Sequence, residues 1–133
     1  MDTNKSLGNS FESKFCDLLF QEGFWVHNLA QNQSGQPADV IAVKNGVPYL
    51  IDCKVCFNGK FPFSRVEENQ DLSMTLWEMC SNGQGWFALL LEDDVFMIPH
   101  AVINRYRKRQ ASFNEREIRD GIPLDLWIKG VSP

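Results

Sequence analysis

Two aspartates and a lysine have the spacing to meet at the end of a β-hairpin. Asn45-Gly46 separates two runs of β-forming residues, and a tight two-residue turn needs positive φ at both central positions, which Asn and Gly tolerate. Counting residue by residue outward from the turn places Asp39 opposite Asp52, with Cβ atoms roughly 4.5–5.5 Å apart. Lys54 lies two residues beyond Asp52 and therefore shares its face of the sheet.

This arrangement suits metal-assisted hydrolysis of a phosphodiester. Two opposed carboxylates destabilise a sheet unless something neutralises them, and Mg²⁺ is bound by one or two carboxylates together with waters and a phosphate oxygen. A lysine beside them can position a water or stabilise charge that develops on the phosphate. The alternative is a solvated hairpin end with a surface ion pair, and a bulge near Pro48 would break the register.

The elements that must position these residues follow from hydrophobic periodicity and capping signals. Asn9 is the expected N-cap of the first helix, with Glu12 at the third position, and Ser64 to Glu67 form a capping box that opens the second. The order of elements predicts an α/β or α+β domain. We expect helices over 10–22, 64–81 and 99–109, strands over 24–29, 39–44, 47–55, 86–91 and 95–98, and a short helix and a turn in the last two dozen residues.

Composition limits the class of protein. The 133 residues, 44% of them apolar, predict one domain over 1–133. The chain contains no apolar run long enough to span a membrane and no signal peptide at its polar start, so we expect a cytoplasmic protein. The net charge of −4 argues against a charge-driven DNA coat, although it leaves room for a local basic cleft.

The motifs resemble those of a known nuclease superfamily. Pro37-Ala38-Asp39 followed by Asp52-Cys53-Lys54 resembles the PD-(D/E)XK signature, with Ala38 inserted into the usual proline–aspartate pair. Glu12 on the first helix and Gln70 on the second match positions where that superfamily often carries glutamate and glutamine. Size and layout are most similar to the small Holliday junction resolvases of phages and bacteria.

The resemblance implies a restriction-endonuclease-like core, in which a mixed central β-sheet flanked by helices carries the active site on a β-hairpin. It also implies a dimeric, magnesium-dependent endodeoxyribonuclease that cuts branched DNA, with Mn²⁺ as a possible substitute. Asp39, Asp52 and the backbone carbonyl of Cys53 would hold the metal. Lys54 would assist the attacking water, and Glu12 would support a metal-bound water or a second metal ion.

Several of these residues also have a structural interpretation. Glu12 could only cap its helix. Gln70 lies on an apolar helical stripe, so it could orient a water or a phosphate, or it could be a core amide with satisfied hydrogen bonds. His27 and His100 lack metal-ligand spacing and are expected to be structural. The Cys53-Lys54-Val55-Cys56 motif falls on a strand end that points its thiols to opposite faces, which argues against a redox or zinc site.

Candidate DNA contacts lie in the loops beside the hairpin. Gln33, Ser34 and Gln36 can donate to phosphates or sugars, while Lys60 and Arg65 can neutralise phosphates. Arg65 is also expected at the start of the second helix, where an N-terminus favours anions. The neighbouring phenylalanines could stack on exposed bases or form a hydrophobic cluster beneath the loop; they are Phe57, Phe61 and Phe63.

Two other functions compete with a dimeric resolvase. A nuclease or nickase that cuts at a single site would need no twofold dimer. A DNA- or protein-binding module could keep the fold without cleavage, although intact Asp39, Asp52 and Lys54 weigh against it.

Overall fold

The computed structural model describes residues 3–29 and 38–131, which fold around a central β-sheet. No helix in these ranges is both long and apolar enough to cross a membrane. The helices are α1 (Asn4–Gln21), α2 (Glu68–Met79), α3 (His100–Arg107), α4 (Glu115–Arg119) and α5 (Leu124–Val131). The strands are β1 (Trp25–Asn28), β2 (Val40–Lys44), β3 (Val47–Val55), β4 (Phe61–Pro62), β5 (Gly85–Leu91), β6 (Asp94–Pro99), β7 (Ser112–Phe113) and β8 (Ile122–Pro123).

The main sheet is mixed, with the strand order β1-β2-β3-β5-β6-β8. Its neighbours run antiparallel except for β3 and β5, which are parallel. A parallel pair needs a crossover connection, and here that connection contains α2. Together with the helices that pack on it, this sheet confirms the predicted fold class, a mixed central sheet flanked by helices.

The hairpin of β2 and β3 has the register that its sequence predicts. The pairing runs from Val40 opposite Ile51 to the turn at Asn45-Gly46, whose φ angles are 53° and 79°. The Asp39 N–H also donates to the Ile51 carbonyl over 3.2 Å, so Asp39 and Val40 both oppose Ile51, and the regular register ends at Val40 with a bulge. The predicted pairing of Asp39 with Asp52 is therefore not part of the ladder, although the two carboxyl groups lie close enough to interact.

Alternation along the strands divides the core into two clusters, one on each side of the sheet. Leu50 belongs to the cluster beneath α2 and α3, and Asp52 faces the same side because it meets Gln70 of α2. Ile51 and Cys53 belong to the cluster beneath α1 and α5. We call these two sides the α2 face and the α1 face.

The first helix begins earlier than predicted. Its N-cap is Thr3, whose hydroxyl accepts from the Ser6 N–H over 3.0 Å. Asn9 therefore lies inside α1, and its prediction as the N-cap is wrong, because Thr3 supplies the same kind of side-chain oxygen six residues earlier. Glu12 consequently lies more than two turns into the helix, which removes the helix-capping explanation for it.

The second helix begins later than predicted. Phe63–Arg65 form a 3₁₀ turn, and Val66 is extended. Glu67 is the N-cap of α2 and forms a capping box with Gln70, so the predicted box at Ser64 is wrong. Phe63 and Val66 are both buried, and the bend between them and α2 allows both to reach the core.

The C-terminal segment contains more structure than its sequence predicts. The short helix expected from Ser112 begins at Glu115, as α4. The expected turn at 121–123 includes β8, which pairs with β6. Helix α5 follows, was not predicted, and buries Trp127 against the α1 face.

Candidate active site

Asp39 and Asp52 come together where the hairpin opens. Asp52 is 0% exposed and Asp39 is 5% exposed. The Asp39 carboxylate accepts from the Cys53 backbone N–H, with 2.8 Å between Oδ2 and N. The Lys54 ammonium nitrogen lies 3.2 Å from Oδ2 of Asp52. The structure thus brings together the two carboxylates and the lysine at the end of the hairpin, although a bulge at Asp39 replaces the predicted pairing.

The Asp52 carboxyl group has a raised pKa, so it holds a proton more strongly than an exposed aspartate does. Burial, and then the charge of Asp39, raise the pKa of Asp52 well above its usual range, while the charge of Lys54 opposes the rise. A hydrogen bond between the Asp39 and Asp52 carboxyl groups raises this pKa further. Two adjacent buried carboxyl groups therefore favour retaining a proton, which a bound cation would displace.

Gln70 connects the start of α2 to the buried pair. Its Nε2 donates to Oδ1 of Asp52 over 3.0 Å, and its Oε1 accepts from the Glu67 N–H over 3.2 Å. Gln70 is 5% exposed. Because one amide serves as both helix cap and partner of Asp52, the position of α2 controls the orientation of that carboxylate.

Glu12 approaches the same site from α1. The pKa of Glu12 is raised from 4.5 to about 7, first by burial, then by the charge of Asp39 and by a hydrogen bond with it, while Lys54 lowers it. A group that titrates near neutral pH beside two carboxylates can hold or release a proton during a reaction. The structure therefore joins Glu12 to the hairpin residues through Asp39.

The site fits a divalent cation that is bound by few protein ligands. Oδ2 of Asp52 is buried and makes no hydrogen bond to any described residue, although Lys54 lies within ion-pair distance. Within residues 3–29 and 38–131, no group of three His, Cys, Asp or Glu side chains could hold an ion. Mg²⁺ requires less, because it keeps several waters and needs only one or two carboxylates beside phosphate oxygens.

The backbone of Cys53 borders the pair. Its N–H points to Asp39, and the N–H and carbonyl of a strand residue point to the same side, so the carbonyl is placed to contribute a ligand. The Cys53 side chain is buried on the α1 face, whereas Cys56 is buried on the α2 face. Burial raises the pKa of both thiols, which opposes a reactive thiolate.

The structure describes only two of the five predicted DNA contacts, Lys60 and Arg65. Gln33, Ser34 and Gln36 lie outside the described residues. Lys60 is exposed in the loop after β3. Arg65 lies in the 3₁₀ turn before α2, so its expected location at the N-terminus of that helix is wrong.

Arg65 also has structural contacts that its sequence does not reveal. It donates through Nη1 to the Val55 carbonyl and lies over the rings of Phe57 and Phe61, 5.4 and 5.6 Å from their centroids. Phe61 and Phe63 are buried in the core of the α2 face, which favours the hydrophobic-cluster interpretation for them.

His100 anchors α2 in a way that sequence spacing could not show. It is fully buried, and its Nε2 and Nδ1 lie 2.6 Å from Oδ1 of Asp71 and 3.1 Å from Oε1 of Glu78. These two carboxylates are 29 and 22 residues away in the chain. The expected structural role of His100 agrees with this contact, which fixes the helix that carries Gln70.

Comparisons with known proteins add the family context. Residues 3–132 match the model of the family described as archaeal Holliday junction resolvase (Hjc). In three dimensions the chain is similar to the 1.6 Å structure of Hjc from Archaeoglobus fulgidus, a Holliday junction resolvase from an archaeal hyperthermophile. The TM-score is 0.71 at 14% identity, over 91% of this chain and 99% of that one, which shows a shared fold. No curated protein matches the chain.

Proposed function

The chain belongs to the archaeal Holliday junction resolvase (Hjc) family, and on this basis we propose that Asp39, Asp52 and Lys54 form its active site and cut DNA with Mg²⁺. As a member of this family, it is a metal-dependent, structure-selective endodeoxyribonuclease of the PD-(D/E)XK type. The buried Asp39–Asp52 pair supports the assignment of the site, because adjacent carboxylates away from water are destabilising and are kept where chemistry needs them.

Asp39, Asp52 and the Cys53 carbonyl would hold Mg²⁺, with Mn²⁺ as a substitute of similar ligand preference. When bound, the cation neutralises charge on the phosphate and makes the attacking water more acidic. Lys54, held beside Asp52 at 3.2 Å, positions that water and stabilises the negative charge that develops on the phosphate oxygens.

Two further residues support these groups. Gln70 fixes the orientation of Asp52 through its 3.0 Å hydrogen bond to Oδ1, which would leave Oδ2 to hold a cation. Glu12, with a pKa of about 7, accepts a proton or holds a water beside Asp39 at neutral pH.

The DNA backbone is the proposed partner of the loops around the site. Lys60 is exposed and can neutralise a phosphate. Arg65, which already donates to Val55, keeps further guanidinium donors for a second phosphate. Gln33, Ser34 and Gln36 belong to the same proposal as polar donors to phosphates and sugars.

A homodimer suits the symmetry of the substrate. Resolving a four-way junction requires two symmetric cuts, and a twofold dimer supplies two copies of the Asp39–Asp52 site. Helix α2 exposes three apolar side chains at helical spacing, which we assign to the dimer contact. They are Leu72, Leu76 and Met79, which are 58%, 50% and 74% exposed.

A DNA substrate favours action in the cytoplasm of a prokaryotic or phage-infected cell. The matching family model is described as archaeal, so an origin in a phage or a bacterium stays a prediction.

Single-turnover cleavage of a labelled four-way junction, alongside a gel shift of the same DNA without metal, tests the active site. Asp39→Asn, Asp52→Asn and Lys54→Ala should fold and bind the junction but lose at least about 100-fold in cleavage, or about 2.7 kcal/mol of transition-state stabilisation. Asp93→Asn and Lys5→Ala change exposed charges elsewhere and should cut like the wild type.

Three outcomes would contradict the proposal. A wild type that binds the junction but cuts it in neither Mg²⁺ nor Mn²⁺ would be a non-cleaving module. Equal cleavage of junction and linear duplex would indicate a nuclease without structure selectivity. Site variants that cut as fast as the wild type would place the active site elsewhere.

A further inference from the structure

An exposed aromatic pair lies on β1, the edge strand of the main sheet. The Trp25 side chain is 62% exposed, and its ring stacks on that of His27, which is also exposed. The two ring centroids are 6.1 Å apart, and the rings are inclined by 16°. Two stacked rings in solvent offer a flat surface that is suited to another aromatic group.

The strand register connects this pair to the active site. His27 lies opposite Ile41, while Val26 packs in the core of the α1 face. Trp25 and His27 therefore point to the α2 face, the side to which Asp52 points. Asp39, whose carboxyl group interacts with that of Asp52, precedes Ile41 by two residues. At the rise of a β-strand, His27 is roughly 7 Å and Trp25 roughly 14 Å from Asp39 along the strand direction.

We propose that Trp25 and His27 form a stacking platform for a nucleobase at the branch point of a DNA junction. The inference rests on the proposed function, since it takes Asp39 as the place where the phosphate is cut. Stacking on an aromatic ring accepts any base, because every base has a π-face. At a branch point the helical stack is interrupted, so a base there has a face that an intact duplex covers.

Position favours DNA over a protein as the occupant of this surface. The platform lies on the strand that pairs with β2, and its distance from Asp39 equals roughly two to four base-pair steps of 3.4 Å. Nucleotides next to the cut phosphate therefore reach β1. Because linear duplex DNA presents base faces only at its ends, the platform adds affinity for branched DNA and little for a duplex.

Fluorescence anisotropy tests the platform. It measures, without metal, how tightly the protein binds a junction and a duplex of the same arm sequence. Trp25→Ala should weaken junction binding at least fivefold, equivalent to about 1 kcal/mol, and duplex binding less than twofold. Trp25→Phe keeps a ring and should restore most of the loss. Phe20→Ala removes another exposed aromatic side chain, 71% exposed on α1, and should change neither affinity.

Two spectroscopic readouts separate stacking from a general loss of contact. A 2-aminopurine at the branch point should be more strongly quenched by the wild type than by Trp25→Ala. Junction binding should change the tryptophan emission of the wild type but not that of Trp25→Phe. Unchanged quenching in Trp25→Ala, or an equal emission change in Trp25→Phe, would overturn the platform.

The remaining outcomes distinguish this inference from the function on which it rests. If the wild type cuts junctions and Trp25→Ala binds them equally well, the platform is wrong and the resolvase function stands. If Trp25→Ala converts a dimer to a monomer in sedimentation velocity, the pair is a protein contact and the platform is again wrong. If the wild type neither binds nor cuts junctions, both fail.

Discussion

Replacing Gly85 with alanine should displace the helix that carries Gln70. Gly85 begins β5, and a Cβ there would lie 2.7 Å from both Cγ and Sδ of Met74 and 2.9 Å from its Cβ, whereas carbon atoms pack at about 3.5–4.0 Å. The Met74 side chain can rotate its outer atoms, but its Cβ is fixed to α2. Because Met74 is fully buried in a close-packed core, the helix itself must move.

The size of the effect follows from this contact. Overpacking of a core typically lowers the free energy of unfolding by about 1–3 kcal/mol, and we expect Gly85→Ala to fall in that range. Met74→Ala alone should lower it by about 2–5 kcal/mol. In the double variant the methyl group added by Gly85→Ala occupies part of the vacated space, so the combined loss should be at least about 1 kcal/mol smaller than the sum.

Urea unfolding of the wild type, the two single variants and the double variant measures the coupling energy between positions 74 and 85. Single-turnover junction cleavage reports the position of Gln70. Gly85→Ala should bind the junction but cut it more slowly, because α2 moves Gln70 away from Asp52. Gly130→Ala is the control: nothing lies within 4 Å of its added Cβ, and alanine should be neutral or stabilise α5 by up to about 1 kcal/mol. Wild-type stability in Gly85→Ala, or an additive cycle, would refute this account.

Three other predictions concern pH, anchoring and DNA affinity. The pKa of Glu12 is raised from 4.5 to about 7, so the metal-free protein should lose stability as pH rises through this range. Glu12→Gln should flatten the dependence of melting temperature on pH, measured by thermal melts in a chelator. An unchanged pH dependence in this variant would contradict the prediction. His100→Ala removes the partner of two α2 carboxylates and should lower the free energy of unfolding by about 1–3 kcal/mol. His27 is exposed, so His27→Ala should change this free energy by less than about 0.5 kcal/mol. Equal effects of the two variants would argue that His100 does not anchor α2. Junction binding should weaken with salt, and Lys60→Ala should reduce the slope of log affinity against log salt concentration by about 1. Arg65→Ala should also lower stability, because Arg65 donates to the Val55 carbonyl. A salt-independent affinity would argue against phosphate contacts.

Local rules determine the hairpin and therefore much of the candidate site. Asn45-Gly46 sets the turn through its positive φ angles, and the two-residue period of a strand carries that register outward to Val40 and Ile51, next to the two aspartates. No distant residue is needed for this result. The same locality explains why Lys54 could be placed beside Asp52 from the sequence.

Capping patterns fail where two local signals compete. Thr3 and Asn9 can both cap α1, and only the packing of the helix decides between them. At α2, the burial of Phe63 and Val66 overrides the box at Ser64. Where a short motif is compatible with more than one helix start, the helix begins at the residue that allows the chain to bury more apolar area.

The sequence by itself determines the order of the main elements, the hairpin register, and the presence of two carboxylates and a lysine at the end of that hairpin. Each of these depends on neighbours along the chain or across one tight turn. Only the tertiary structure decides that Gln70 meets Asp52, that Glu12 reaches Asp39 from another helix, and that α5 completes the α1 face. These contacts join distant segments, and their geometry follows from how the helices pack against the twisted sheet. The pKa of Glu12 belongs with them, because burial is its largest cause, and burial exists only once the chain has folded.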